Sequence, residues 1–343
     1  MRFVDLRSDT KTLPTQAMRD AIFSADLGDD CAGEDDTVNQ LENLAAKTLG
    51  KEAAVLVSSG TQGNLTALLS HCNRGDEVLL GRKSHIFKSE AMGASVLGGI
   101  ALMPLNDDEG YISLDEIEKS IRVNDSRYPN TTLLALENTH NGSGGTPLQK
   151  KYIDDCAQIA HSKDVSVHID GARLFNASVA LKIDPSDLVS SVDSVTFCLS
   201  KGLSAPVGSV LVGDQYFIEQ ARRWRKMLGS AMRQAGIIAA AGIVSLNMMV
   251  DRLDKDHLNA KKLAKGLKNI NGISIDPENY QTNMVFCTVD DGKGESLSES
   301  LSKRGVLVGH VGDSVLRLVT HYGVNEDDID YTLKTIENIM FDL

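Results

Sequence analysis

Lys201 sits between two apolar runs in "DSVTFCLSKGLSAPVGSVLVG" (193–213), with Val195, Phe197 and Leu199 before it and Val207, Val210 and Val212 after it. Apolar surroundings disfavour an ammonium, lower the pKa and leave an amine able to form a Schiff base with an aldehyde. A loop lysine reaching out to solvent would fit the same stretch, so two other features must be read with it. In "VHIDGARLF" (167–175), Asp170 ends an apolar run, at the strand edge where α/β sheets bind ligands. A carboxylate there is costly unless a cation faces it. Arg173, three residues on, would make a plain ion pair, and a protonated ring nitrogen would make a functional one. His168 shares the strand face with Asp170, as a packing histidine or as a support. In "VSSGTQGN" (57–64), Ser59, Gly60 and Thr61 open a helix-like segment. Backbone N–H groups there cradle a phosphate, or simply cap a turn. A phosphate cradle, a buried carboxylate and a desolvated lysine together meet the demands of pyridoxal 5′-phosphate (PLP): donors for its phosphate, an anion for its ring nitrogen and an amine for its aldehyde.

The elements that must position these groups alternate. "AAVLV" (53–57), "DEVLL" (76–80), "IALMPL", "TTLLALE" (131–137) and "VSVHID" (165–170) read as buried strands. "QGNLTALLSHC", "SEAMGASVLG", "LDEIEKSI" and "YIDDCAQIAHSKD" read as helices between them. Continuous apolar strands separated by amphipathic helices predict a mostly parallel sheet covered on both faces. The two runs flanking Lys201 belong to that sheet, and their close spacing suits a local antiparallel pair. After about residue 245 come a charged helix pattern, "VDRLDKDHLNAKKLAKGLKNI", short strands ("NMVFCTV", "GVLVG", "VLRLVTH") and a terminal helix carrying Ile329, Leu333, Ile336 and Met340 on one face. The reading is a large α/β domain over residues 1–248 and a smaller C-terminal α+β domain over 249–343, on which the first few residues could also pack.

A formal charge of −12, from 35 basic and 47 acidic residues, argues against nucleic acid or an anionic membrane as a partner. Five dispersed cysteines with no C-x-x-C pair suit reduced thiols. The start, "MRFVDLRSDT", has no apolar h-region, and "GIIAAAGIV" (236–244) is too short to span a bilayer. These points predict a cytoplasmic protein. The acidic run "GDDCAGEDD" reads as a solvated loop or a loose cation site, without EF-hand spacing; no metal is expected.

The segments "DLRSDTKTLPT", "GDDCAGED", "SSGTQGN", "LENTHN", "HIDGARLFNA", "CLSKGLSAPVGS", "RKMLGSAMRQAGIIAAAGI" and "LRLVTH" span nearly the whole chain. Together they resemble the low-specificity L-threonine aldolases, PLP enzymes of the aspartate-aminotransferase fold type. By that resemblance Lys201 is the Schiff-base lysine, Asp170 the ring-nitrogen partner, Arg173 a ring-side contact, and Ser59, Gly60 and Thr61 phosphate ligands. His85 resembles the histidine stacked on the ring, and His140 the one near the substrate hydroxyl. Ser8 and Arg317 resemble the pair that grips the substrate carboxylate. Lys226 and Arg233, the latter a cofactor contact, match a segment near a neighbouring subunit's site, which implies a homodimer or homotetramer with shared active sites. Ala32 stands where the family has tyrosine, and Ser230 and Ala231 interrupt a glycine run; both bear on substrate range. The resemblance implies retro-aldol cleavage of L-threonine or L-allo-threonine to glycine and acetaldehyde. His85, His140 and Glu90 are the candidates for the base. Another PLP enzyme of this fold, a β-eliminating lyase, aminotransferase or racemase, is the alternative.

Overall fold

The structure, a computed structural model, describes residues 2–123 and 125–342. Seven strands form the large sheet: β2 (Ala53–Val57), β3 (Glu77–Gly81), β4 (Ala101–Leu105), β5 (Thr131–Glu137), β6 (Ser166–Gly171), β7 (Ser194–Cys198) and β8 (Ser209–Gly213), in the order β2-β8-β7-β6-β5-β3-β4. Strands β3, β7 and β8 are buried at every residue, because helices cover both faces and leave no polar side to alternate with. Every pairing from β7 through β6, β5 and β3 to β4 is parallel, and β8 alone runs antiparallel to its neighbours. The short segment 199–208 between β7 and β8, which carries Lys201, leaves no room for a parallel crossover and forces that reversal. Glu137, Asp170 and Lys201 therefore lie at or just beyond the C-terminal ends of β5, β6 and β7.

The second sheet has the order β1-β11-β12-β10-β9, from β1 (Val4–Leu6), β9 (Ile273–Ser274), β10 (Met284–Val289), β11 (Val306–Val311) and β12 (Val315–Val319). It shares a core with the helices Leu253–Leu267 and Glu326–Asp342, through Leu6, Leu263, Val285, Leu316, Ile329 and Ile336. Because β1 pairs in parallel with β11, the chain leaves the second sheet at Leu6 and reaches the large-sheet edge by Thr12, whose Oγ1 donates to the Lys201 carbonyl at 3.0 Å. Residues 7–12 thus bridge the two sheets at the site.

Some expectations need correcting. The N-terminal acidic segment contains two helices, Gln16–Phe23 and Asp36–Thr48, and the latter packs Val38, Leu41 and Ala45 into the main core. The acidic run is a solvated loop only in part: Cys31, Ala32, Gly33, Glu34 and Asp36 are exposed, but Asp30 and Asp35 are buried. Asp35 caps Asp36–Thr48 through Val38 N and also accepts from Gly236 N, while Asp30 pairs with buried Arg225 at 2.9 Å. "SEAMGASVLG" is not an ordinary helix either: Ala91 and Met92 have positive φ, and only a π-helical turn forms at Ala94–Gly98, in a stretch with two glycines. Among the described residues no single helix is long and apolar enough to cross a membrane.

Candidate active site

Asp170, at the end of β6, is 2% exposed. The alternative of a plain ion pair with Arg173 is not the one formed, because Arg173 is committed to Asp9: Nε to Oδ2 and Nη2 to Oδ1, each at 2.7 Å. Asp170 instead meets neutral donors. Asn64 Nδ2 donates to its Oδ2 at 2.9 Å and Ala172 N to its Oδ1 at 3.1 Å. The same Asn64 amide donates to Glu90 Oε1 at 2.9 Å, and Glu90 Oε1 is 2.8 Å from His85 Nδ1.

A chain of bonds behind Asp170 fixes the direction of that amide. His168 Nε2 is 3.2 Å from Asn64 Oδ1, His168 Nδ1 is 2.9 Å from Ser194 Oγ, and Ser194 Oγ is 2.7 Å from His71 Nε2. Burial pushes His168 down to about 3 and His71 down to about 4, so both rings are neutral at pH 7. The Asn64 carbonyl can only accept, so His168 carries its proton on Nε2 and accepts from the Ser194 hydroxyl at Nδ1. Each donor then points toward the carboxylates, and the Asn64 NH₂ is aimed at Asp170 and Glu90.

Ligand atoms of His85, Glu90 and Asp170 lie within 4.8 Å of one another. Burial raises the Glu90 pKa and the Asp170 charge adds to it, while the bond to Glu90 raises that of His85 against burial. A buried carboxylate supported by a neutral amide, with the nearest arginine spent elsewhere, has its negative charge left for a ligand cation. A protonated pyridine nitrogen fits that donor set.

Burial alone would raise the Asp9 pKa, yet the Arg173 guanidinium outweighs it and the Lys201 charge adds to the lowering. Asn283 Nδ2 also donates to Asp9 Oδ2 at 3.2 Å. The Lys201 charge is felt by both Asp9 and His85, one in each group of contacts. Arg317, on β12, donates from Nη1 to the Arg7 carbonyl and from Nη2 to Asn141 Oδ1, each at 3.0 Å. Burial, with Arg173 adding like charge, brings Arg317 down to about 10. Ser8 directly follows Arg7, so it shares this junction with Arg317; its Oγ accepts from Thr10 N at 3.2 Å.

Ser59 is the N-cap of the helix Gly60–His71 and accepts from Gln62 N at 3.2 Å. A Cβ on Gly60 would come within 2.8 Å of Cys198 Sγ, so glycine lets this helix start close against the end of β7. The free N–H groups of that first turn suit a phosphate. His140 is buried, with Nε2 3.0 Å from Asp107 Oδ2 and, among the described residues, no hydrogen-bond partner at Nδ1. Arg233 and Lys226 stand apart from this assembly. Arg233 is exposed and pairs with Asp29 at 3.3 Å, and Lys226 Nζ lies 3.8 Å from Cys31 Sγ, beside Ala32. Sequence reasoning missed the roles of Asp9, Asn64, Glu137, Asn141 and Asn283. All five lie inside motifs or element runs visible in the sequence, but their partners are distant along the chain.

Residues 5–290 match the family model described as beta-eliminating lyase. The chain is 45% identical to low-specificity L-threonine aldolase 1 of Arabidopsis thaliana, over 99% of this chain and 97% of the relative. It is 43% identical to the low specificity L-threonine aldolase of Escherichia coli K12, over 95% of this chain and 96% of the relative. The chain belongs to the low-specificity L-threonine aldolase family. As a member of that family it is a PLP-dependent lyase. A solved structure of Leishmania major threonine aldolase shares the fold, with a TM-score of 0.84 at 18% identity over 98% of this chain and 99% of that one. The expected α/β fold, with its mostly parallel large sheet, is the observed one.

Proposed function

We infer that this chain cleaves L-threonine, L-allo-threonine and related β-hydroxy-α-amino acids to glycine and an aldehyde, acetaldehyde for the first two. The observation that carries the reading is the buried Asp170 carboxylate, oriented by Asn64 and left unpaired by Arg173, on the edge that carries Lys201.

PLP, when bound, supplies an aldehyde carbon and a ring that withdraws electrons from the reacting bond. Lys201 would hold the aldehyde, Asp170 would keep the ring nitrogen protonated, and Arg173, locked by Asp9, would be a further contact to the group. Ser59, Gly60 and Thr61 would hold the phosphate with the first turn of their helix. Arg317 and Ser8 grip the substrate carboxylate and so choose which bond at Cα is set for cleavage. His85 donates from Nδ1 to Glu90, which leaves Nε2 to take the β-hydroxyl proton. His140, with Nδ1 unpartnered, is the second group able to do so.

A homodimer or homotetramer with shared active sites is part of the reading. It is supported by exposed Leu13, Phe23, Met227 and Ile237, apolar surface that a second copy would cover, and by Lys226 and Arg233 lying outside this copy's own cluster. A cytoplasmic location is supported by five free cysteines.

The test is to incubate the PLP-loaded protein with L-threonine, L-allo-threonine and L-serine and to measure glycine, aldehyde and keto acid. Equimolar glycine and acetaldehyde from the two threonines is the expected result. A keto acid in their place would assign β-elimination or transamination instead.

A further inference from the structure

Polar contacts in the site form two groups, one around Asp170, Glu90 and His85 and the other around Arg173, Asp9 and Arg317. One side chain touches both. Glu137 ends β5 as the register partner of Asp170 on β6, and it is 5% exposed. Its Oε2 accepts the backbone N–H of His85 at 2.6 Å, and its Oε1 accepts the backbone N–H of Asn141 at 2.8 Å. Asn141 in turn presents Oδ1 to Arg317 Nη2 at 3.0 Å and, more distantly, to Arg173 Nη1 at 3.5 Å. A carboxylate this deep is costly when its partners are neutral N–H groups, and a neutral side chain of the same length would avoid that cost.

We propose that Glu137 is the positioning residue that couples the grip on the substrate carboxylate to the histidine that handles the hydroxyl proton. One oxygen holds Asn141 under Arg317, and the other holds the backbone of His85. The proposal rests on the roles given above to Arg317 and His85. Cleavage of the Cα–Cβ bond needs the carboxylate and the β-hydroxyl held at once, so a single rigid link between their two binding groups sets the geometry of the reaction. Glu137 works wholly through those two residues.

Glu137→Gln keeps the shape but turns one acceptor into an NH₂ group facing a backbone N–H, so one of the two donors loses its partner. Glycine, titrated into the PLP-loaded protein and followed by the cofactor's absorbance, reports the carboxylate grip without any bond cleavage. The expected result is about tenfold weaker glycine binding together with a kcat for L-threonine lower by about tenfold or more. Asn141→Ala should weaken glycine similarly, and the double variant should bind it no worse than either single one. Glu137→Asp, which keeps both acceptors on a shorter stem, should recover part of the loss and serves if Glu137→Gln does not fold. Glu137 variants that lower Tm while keeping wild-type glycine affinity and kcat would overturn the proposal, and so would glycine losses that simply multiply in the double variant. Failure of the wild-type protein to release aldehyde from L-threonine would instead overturn the proposed function.

Discussion

Asp9→Asn removes the anion from a pair that links residues 7–12 to the large-sheet edge. Asp9 is 0% and Arg173 6% exposed, and both N–H···O distances are 2.7 Å. Asparagine can accept only one of those bonds, and its NH₂ faces the guanidinium, so a buried positive charge loses the anion it is bonded to. Breaking such a pair from one side costs about 3–5 kcal/mol. With an unfolding entropy of about 2.1 cal/mol/K per residue, a chain of 343 residues has about 0.7 kcal/mol/K in all, so Tm should fall by about 4–7 °C. The assay is thermal unfolding of the PLP-loaded protein by far-UV circular dichroism at pH 7.

A control separates the orphaned charge from general damage. In Asp9→Asn combined with Arg173→Met the charge is gone as well, and at least half of the lost Tm should return. The pH dependence has a definite sign. The Asp9 pKa is depressed in the fold, so its stabilisation is complete above the unfolded value of about 4 and is lost as pH falls through the folded one. The gap between wild type and Asp9→Asn should therefore be flat from pH 5 to 8 and narrow below about pH 4. A Tm within one degree of wild type at pH 7, or a gap that widens in acid, would refute the reasoning.

Asp170→Asn replaces the charge with a neutral acceptor, and aldehyde release should slow by about 100-fold or more with weaker PLP retention; near-normal turnover would remove Asp170 from the ring-nitrogen role. Glu90→Gln removes the anion that raises the His85 pKa, so the acid limb of kcat/KM, which needs unprotonated His85, should move to lower pH. An unmoved limb would assign it to another group.

Strand runs were legible because β3, β7 and β8 are buried at every residue, which leaves an unbroken apolar signature. Lys201 and Asp170 stood out for a related reason: each interrupts or ends such a run with a charge. What was not legible depends on pairings between distant residues. Asp9 and Arg173 are 164 residues apart and Asn64 and Asp170 are 106 apart, and nothing local distinguishes Asp9 from any other acid in "DLRSDT" or Asn64 from a helix amide. For the same reason the sequence left an Asp170–Arg173 pair open beside the ring-nitrogen role, and tertiary structure excludes that pair by giving Arg173 to Asp9. Asp36–Thr48 was hidden by its charges, because Asp35 and Asp36 look like loop residues until Asp35 is seen capping that helix and accepting from the start of another. The segment after His85 misled in the opposite direction, its apolar residues suggesting a helix that positive φ at Ala91 and Met92 prevents.

The proposed chemistry turns on Lys201 as the carrier of the cofactor. Borohydride reduction of the PLP-loaded protein, followed by digestion and peptide mass spectrometry, tests it directly. The expected result is a pyridoxyl group fixed on Lys201, with activity and visible absorbance lost in parallel. A reduced cofactor on a different lysine, or full activity after complete reduction, would contradict it.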